Sequence, residues 1–143
     1  MLNVRLGGLA DAPALLALHV RESYRPTTLT AVSRALESLP SALALDDDTL
    51  VGFCYSRRYN DQILELSDMF VTPACRHRGL GARLLECVER EATPHFNYIL
   101  IRNAATYPGH RFSRRDATLF ARLGYIEAAV LRRRPILLKK LDF

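Results

Sequence analysis

Lysine is nearly missing from this chain of 143 residues: the basic side chains number 20, and all but Lys139 and Lys140 are arginine. Cysteine is scarce too. Cys54, Cys75 and Cys87 are an odd number at wide spacing with no Cys-x-x-Cys, which argues against a disulfide framework and against a thiolate metal site. The four histidines (His19, His77, His95, His110) are not paired at ligand spacing, so no metal is expected. No apolar stretch approaches the roughly 20 residues that cross a bilayer, so no membrane association is expected. The first residues lack a basic segment followed by an apolar one, so a secretory leader is not expected and a cytoplasmic location is. There is also no internal repeat, no low-complexity tract and no linker long enough to divide the chain.

What is present fits one compact domain over residues 1–143. Apolar residues make up 49% and charged residues 24%, as in a globular protein. The net charge of +5 is carried by arginine, whose planar fork suits phosphates and carboxylates. A nucleic-acid partner is not expected, because Asp46–Asp48 are acidic and no helix carries a basic stripe with interleaved aromatics. Cys54 and Cys87 fall in strand and helix patterns and read as core thiols. Cys75, beside Arg76 and Arg78, reads as a surface thiol.

Asn3–Leu6 reads as an opening strand. Asp11 is an N-cap candidate for a helix with Pro13 near its start, and a second helix is expected over Thr30–Leu39, stopped by Pro40. Ala42–Leu45 and Leu50–Ser56 flank an Asp46–Thr49 turn, and Ile63–Val71 is a further strand ended by Thr72-Pro73. Apolar Leu80, Leu84, Leu85 and Val88 mark an amphipathic helix over Gly79–Ala92. Asn97–Ile101 reads as a strand buried on both faces, and Ala104–Arg115 as a long polar connection. A helix over Asp116–Leu123 ends at Gly124, and Ile126–Leu131 and Ile136–Leu141 close the chain as strands. The order βααβββαβαββ is a mixed α/β layer, in which ligands gather at strand ends and helix N-termini.

Chemistry concentrates where the Ile63–Val71 strand runs into Arg76-His77-Arg78-Gly79-Leu80-Gly81 and then a helix. The first N–H groups of a helix lack intrahelical partners, and the helix dipole adds positive potential there. Gly79 and Gly81 remove Cβ atoms, so the backbone can approach an anion closely, and two arginines flank it. Together these build a pyrophosphate cradle; the bland alternative is that the glycines merely permit a tight turn.

This Arg-x-x-Gly-x-Gly stretch, after Val71-Thr72-Pro73 and before Leu123-Gly124-Tyr125, resembles the motif of the GNAT N-acetyltransferase family. The element order resembles the family fold over nearly the whole chain: a mixed, mostly antiparallel sheet of about six to seven strands flanked by about four helices. The resemblance implies acetyl-coenzyme A as co-substrate, with its pyrophosphate on the backbone of His77, Arg78, Gly79, Leu80, Gly81 and Ala82, and with Arg76 and Arg78 alongside. It implies that Met69, Phe70 and Val71 bond the pantetheine arm and supply a donor to the thioester carbonyl. It also implies an amine-bearing acceptor, small molecule or protein, attacking directly in a ternary complex. Homodimers are common in the family.

Amine acylation needs a base, and a departing thiolate benefits from an acid. Glu65 stands where several family members carry a general-base glutamate, and by strict alternation it shares a face with Ser67, Met69 and Val71. A structural ion pair with arginine is the alternative for Glu65. Asp68 falls on the opposite face unless a bulge resets the alternation. The family's usual acid tyrosine is replaced by Phe120, and a common asparagine by Ser113. This leaves Tyr107, Ser113 or solvent to protonate the thiolate, and it opens a second reading, a non-catalytic acyl-coenzyme A binder. The Glu22–Leu29 loop and the Arg132–Pro135 turn are expected at the acceptor site, with Tyr24, Tyr55 and Tyr59 as cleft candidates and Tyr125 in the core.

Overall fold

The computed structural model describes residues 1–37, 39–102 and 112–142. Seven strands form one sheet: β1 (Leu2–Leu6), β2 (Ala42–Asp46), β3 (Thr49–Arg58), β4 (Ile63–Val71), β5 (Tyr98–Ile101), β6 (Ile126–Leu131) and β7 (Arg134–Lys140). Four helices accompany it: α1 (Ala12–Arg21), α2 (Leu29–Glu37), α3 (Leu80–Ala92) and α4 (Arg114–Arg122). The strand order is β1-β2-β3-β4-β5-β7-β6. Every neighbouring pair is antiparallel except β4 and β5, which the α3 crossover makes parallel.

Each face of the sheet has its own core. Residues at every fourth position of α3, Leu80, Leu84, Val88 and Ala92, are buried in one cluster with Leu64, Leu66, Met69 and Val71 of β4. Each fully buried leucine there contributes roughly 2 kcal/mol. The opposite face joins Leu15 and Leu18 of α1 and Val32 and Leu36 of α2 to Phe53, Tyr55 and Phe70.

Two features of β4 prepare the site. First, the β3–β4 register jumps from Tyr55↔Asp68 to Ser56↔Leu66, so Ser67 is an extra residue without a partner on β3. This bulge corrects the expectation from strict alternation. Glu65, Asp68 and Phe70 point to the α1–α2 face, whereas Met69 and Val71 join Leu64 and Leu66 on the α3 face. Second, β5 pairs only with Ile63–Leu66. Beyond Leu66 the two strands part, and residues 67–71 present an edge with no strand beside it among the described residues.

Several element boundaries differ from expectation for identifiable reasons. Asp11 lies in a 3₁₀ turn, and its side chain does not cap α1. Its carboxylate takes the Gly8 N–H (2.8 Å) and the Arg5 guanidinium (2.8 and 3.0 Å). Helix α4 starts at Arg114 rather than Asp116 because Ser113 and Asp116 form a reciprocal capping box. Helix α2 spans Leu29–Glu37, one residue earlier at its start, and β7 begins two residues earlier, at Arg134.

Candidate active site

The chain turns from β4 into α3 through a 3₁₀ turn at Pro73–Cys75 and two residues at positive φ, His77 (64°) and Gly79 (78°). Left-handed backbone is easy only for glycine, which explains Gly79. Neither the N–H groups of residues 77–79 nor the first three of α3 donate to any backbone carbonyl among the described residues. The first to return to the chain is that of Arg83, to the Gly79 carbonyl at 3.2 Å. Six successive donors, residues 77–82, therefore open at a helix N-terminus.

The glycines show what this opening is for. A Cβ added at Gly79 would meet no atom within 4 Å, and one at Gly81 would meet only the Met69 Sδ at 4.0 Å. Packing within the chain does not require glycine at 81, where a helical glycine costs about 1 kcal/mol relative to alanine. The tight-turn alternative accounts for Gly79 through its φ, but not for Gly81. The space lies in a groove of about 710 Å³ between the α3 N-terminus and α4, floored by Met69 and Val71 and walled by Phe120 and Leu123. Its size and donor set suit an extended anionic ligand such as a nucleotide-linked diphosphate.

Arg76 folds back rather than reaching outward: its Nε donates to the Val71 carbonyl (2.8 Å), and its guanidinium lies 5.6 Å from the Phe70 ring centroid. Arg78 is exposed and does not line the groove. Cys75 is buried, contrary to the expected surface thiol, because the 3₁₀ turn tucks it into the α3-side core. Thr72 donates its N–H to the Val51 carbonyl (2.8 Å). Antiparallel pairs alternate, so the Phe70 backbone is engaged with Phe53, and the backbone groups of Met69 and Val71 face the gap beside β5. Of the three residues expected beside a pantetheine arm, Met69 and Val71 thus turn their backbone toward the gap, the Val71 carbonyl being taken by Arg76.

Across the sheet lies a second cluster. Glu65, 3% exposed, accepts from the Arg57 Nε (2.8 Å), the Arg102 Nε (2.6 Å) and the Arg102 Nη2 (2.8 Å). Burial pushes its carboxyl upward, but the two guanidiniums more than offset this and hold it below the usual glutamate range. That geometry matches the ion-pair alternative: both oxygens are engaged. Asp68 is less enclosed. Its Oδ1 accepts from the Tyr24 hydroxyl (3.0 Å) and the Arg25 Nη1 (2.6 Å), and no bond to its Oδ2 occurs among the described residues. Tyr24 and Tyr55 are buried, and burial raises both phenols well above their ordinary range. His19 bridges the Tyr55 hydroxyl and the Arg25 carbonyl, each at 3.1 Å. The Tyr24–Arg25 part of the expected acceptor loop therefore meets β4, while Tyr59 stays exposed.

Phe120 is buried at the groove wall, 6.0 Å from Phe112 and edge-on to Tyr125, and brings no proton donor there. The Ser113 hydroxyl is held by Asp116 (2.9 Å). Tyr107 lies outside the described residues. Tyr125 is in the core as expected, its hydroxyl donating to Glu89 (2.6 Å). Sequence reading missed Arg57 and Arg102, whose common target appears only once β3, β4 and β5 are aligned. Among the described residues, no group of three or more His, Cys, Asp or Glu side chains converges as metal ligands would. No helix there is long and apolar enough to span a membrane.

Comparison with known proteins gives concordant results. A family model described as an acetyltransferase (GNAT) domain matches residues 40–127. No curated protein matches the sequence. Among solved structures, a ribosomal-protein alanine N-acetyltransferase from Escherichia coli superposes with a TM-score of 0.73 at 16% identity, covering 100% of this chain and 96% of that one. A putative acetyltransferase from Salmonella typhimurium with its cofactor acetyl-CoA gives 0.72 at 16% identity, covering 99% and 94%. A phosphinothricin acetyltransferase from Sinorhizobium meliloti in complex with AcCoA gives 0.71 at 15% identity, covering 99% and 89%. At these identities the superpositions show a shared fold.

Proposed function

The chain belongs to the GNAT acetyltransferase family, and from that premise we propose that it transfers an acetyl group from acetyl-coenzyme A to the amine of a small molecule or protein. The observation that carries this reading is the open cradle: six N–H groups that donate to no backbone carbonyl, and a Gly81 that no atom crowds, among the described residues. Bound there, acetyl-coenzyme A supplies an acyl group activated as a thioester. The residue 77–82 backbone holds its diphosphate, and the free edge at Met69 and Val71 orients the arm and offers an N–H to the thioester oxygen.

The acceptor enters from the α1–α2 face through the gap between β4 and β5, so the two substrates meet from opposite sides of the sheet. The amine nitrogen bonds to the carbonyl carbon, the carbon–sulfur bond breaks, and the amine proton passes to a carboxylate on that face. Asp68 suits this role better than Glu65. Its Oδ2 has no competing donor among the described residues, whereas Glu65 is gripped by two guanidiniums. The leaving thiolate takes its proton from Tyr107 or solvent, since Phe120 has none to give and the Ser113 hydroxyl is held by Asp116.

Calorimetry with acetyl-coenzyme A tests the cradle. Saturable one-to-one binding is expected, weakened by at least about 100-fold (roughly 2.7 kcal/mol) in Gly81→Trp while the far-UV spectrum is kept. Absence of binding in the unsubstituted protein overturns the reading. Buried Phe120 favours one alternative, a binder that does not turn over. Thiol release on a panel of amines, lost in Asp68→Asn and retained in Glu65→Gln, excludes it. The reverse pattern returns the base to Glu65.

A further inference from the structure

The charges on the α1–α2 face do not balance where β4 and β5 part. Arg25 and Asp68 pair one to one, but Glu65 faces two guanidiniums. Arg102 alone already engages both oxygens of Glu65, Nε to Oε2 and Nη2 to Oε1. Arg57 adds only its Nε, to an oxygen that is already bonded. Each guanidinium is attracted by the carboxylate between them, but the trio keeps a net charge of +1, which draws a further anion to it. The side chains of Arg57 and Arg102 are 58% and 45% exposed, so the surplus charge faces solvent while the carboxylate does not. The terminal nitrogens of Arg57 carry no bond to another group among the described residues. The Arg102 guanidinium lies 5.7 Å from the centroid of the Tyr59 ring, which covers one of its planes.

The position of this surplus matters. Arg102 directly follows Ile101, the last residue of β5, which pairs with Leu66 where the strands separate. Arg57 flanks Glu65 from β3. Met69, whose backbone faces the gap, lies three residues beyond Leu66, about 10 Å along the strand. Both guanidiniums are seated at Glu65, and hydrogen bonds of about 3 Å at the two ends of a bound acceptor leave several ångströms between them, the scale of an amine and a carboxylate in one small molecule.

Building on the acetyltransferase reading, we propose that Arg57 and Arg102 recognise a carboxylate on the acceptor, so that the substrate class is an amine carrying a nearby carboxylate, as in α-amino acids. A carboxylate accepts from a guanidinium fork in two places, and the net charge of the site becomes zero when it binds. Arg57 and Arg102 are then specificity residues that position the acceptor, with Asp68 taking the proton.

The test uses the full chain saturated with acetyl-coenzyme A and measures thiol release with L-amino acids, their amides and the corresponding decarboxylated amines. The free acids are expected to exceed both neutralised sets by at least tenfold in kcat/KM. Arg57→Ala, which leaves Glu65 its Arg102 partner, is expected to bring that ratio near one by raising KM with little change in kcat, and Arg57→Lys to restore part of it. Equal use of amides and acids, or an unchanged ratio in Arg57→Ala, overturns the proposal.

If acetyl-coenzyme A binds but no amine is acetylated, the transferase reading fails, and the anion site is read separately by titrating glutarate and following the Arg57 and Arg102 Nε–H resonances. A saturable shift that Arg57→Ala removes supports the site, and no shift overturns it.

Discussion

The two ends of α3 are built to opposite standards. At its C-terminal half the buried polar groups are answered from within the chain. Glu89 accepts from the Tyr125 hydroxyl (2.6 Å) and from the Lys139 Nζ (3.0 Å), the Thr93 N–H and hydroxyl return to the Glu89 carbonyl, and a Cβ at nearby Gly124 would lie 3.1 Å from Lys139. At its N-terminal end the donors of residues 77–82 are left open and the glycines border open space among the described residues. One helix thus anchors the sheet with one end and offers the other to a ligand. Unsatisfied polar groups and permissive residues in a well-packed protein mark the place where a partner completes the structure.

The sharpest way to break this comparison is Glu89→Ala. It leaves the Lys139 ammonium and Tyr125 hydroxyl, raised by burial and by the Glu89 carboxylate, without their acceptor. The expected loss is about 3 kcal/mol in urea denaturation, with acetyl-coenzyme A affinity unchanged. If affinity falls in step with stability, the two ends are not independent.

A smaller effect distinguishes Glu65, the second carboxylate that holds this fold together. Its pKa in the folded chain lies below the ordinary value, so its contribution is complete above the usual glutamate pKa and is lost as pH falls through the lowered one. Between about pH 5 and pH 3 the unsubstituted protein should therefore lose more stability than Glu65→Gln does. Parallel acid profiles would mean the arginines contribute nothing to folding through Glu65. The smallest change is Gly81→Ala: a gain of up to about 1 kcal/mol from helix propensity, coupled with weaker acetyl-coenzyme A binding. A variant that is both more stable and equally tight would show that a methyl group at residue 81 stays clear of the ligand.

The order of strands and helices was legible because periodicity follows burial: every fourth residue of α3 faces the sheet, and each β4 segment alternates locally. The cradle was legible because its residues are contiguous and their effect comes from backbone. The face of Asp68 was not, since one inserted residue, Ser67, shifts everything after it to the other side and leaves no mark in composition. The partners of Glu65 stayed hidden for a different reason. Arg57 is eight residues away and Arg102 thirty-seven, in a chain so rich in arginine that none stands out.

The sequence alone thus determined the elements, the family motif and a helix N-terminus suited to an anion, all properties of neighbouring residues and local backbone. Which carboxylate is gripped and which has an oxygen to spare was decided only when β3, β4, β5 and the Tyr24–Arg25 loop came together. Electrostatic roles depend on distances between segments remote in the chain, and those distances exist only after packing has fixed register, bulge and face.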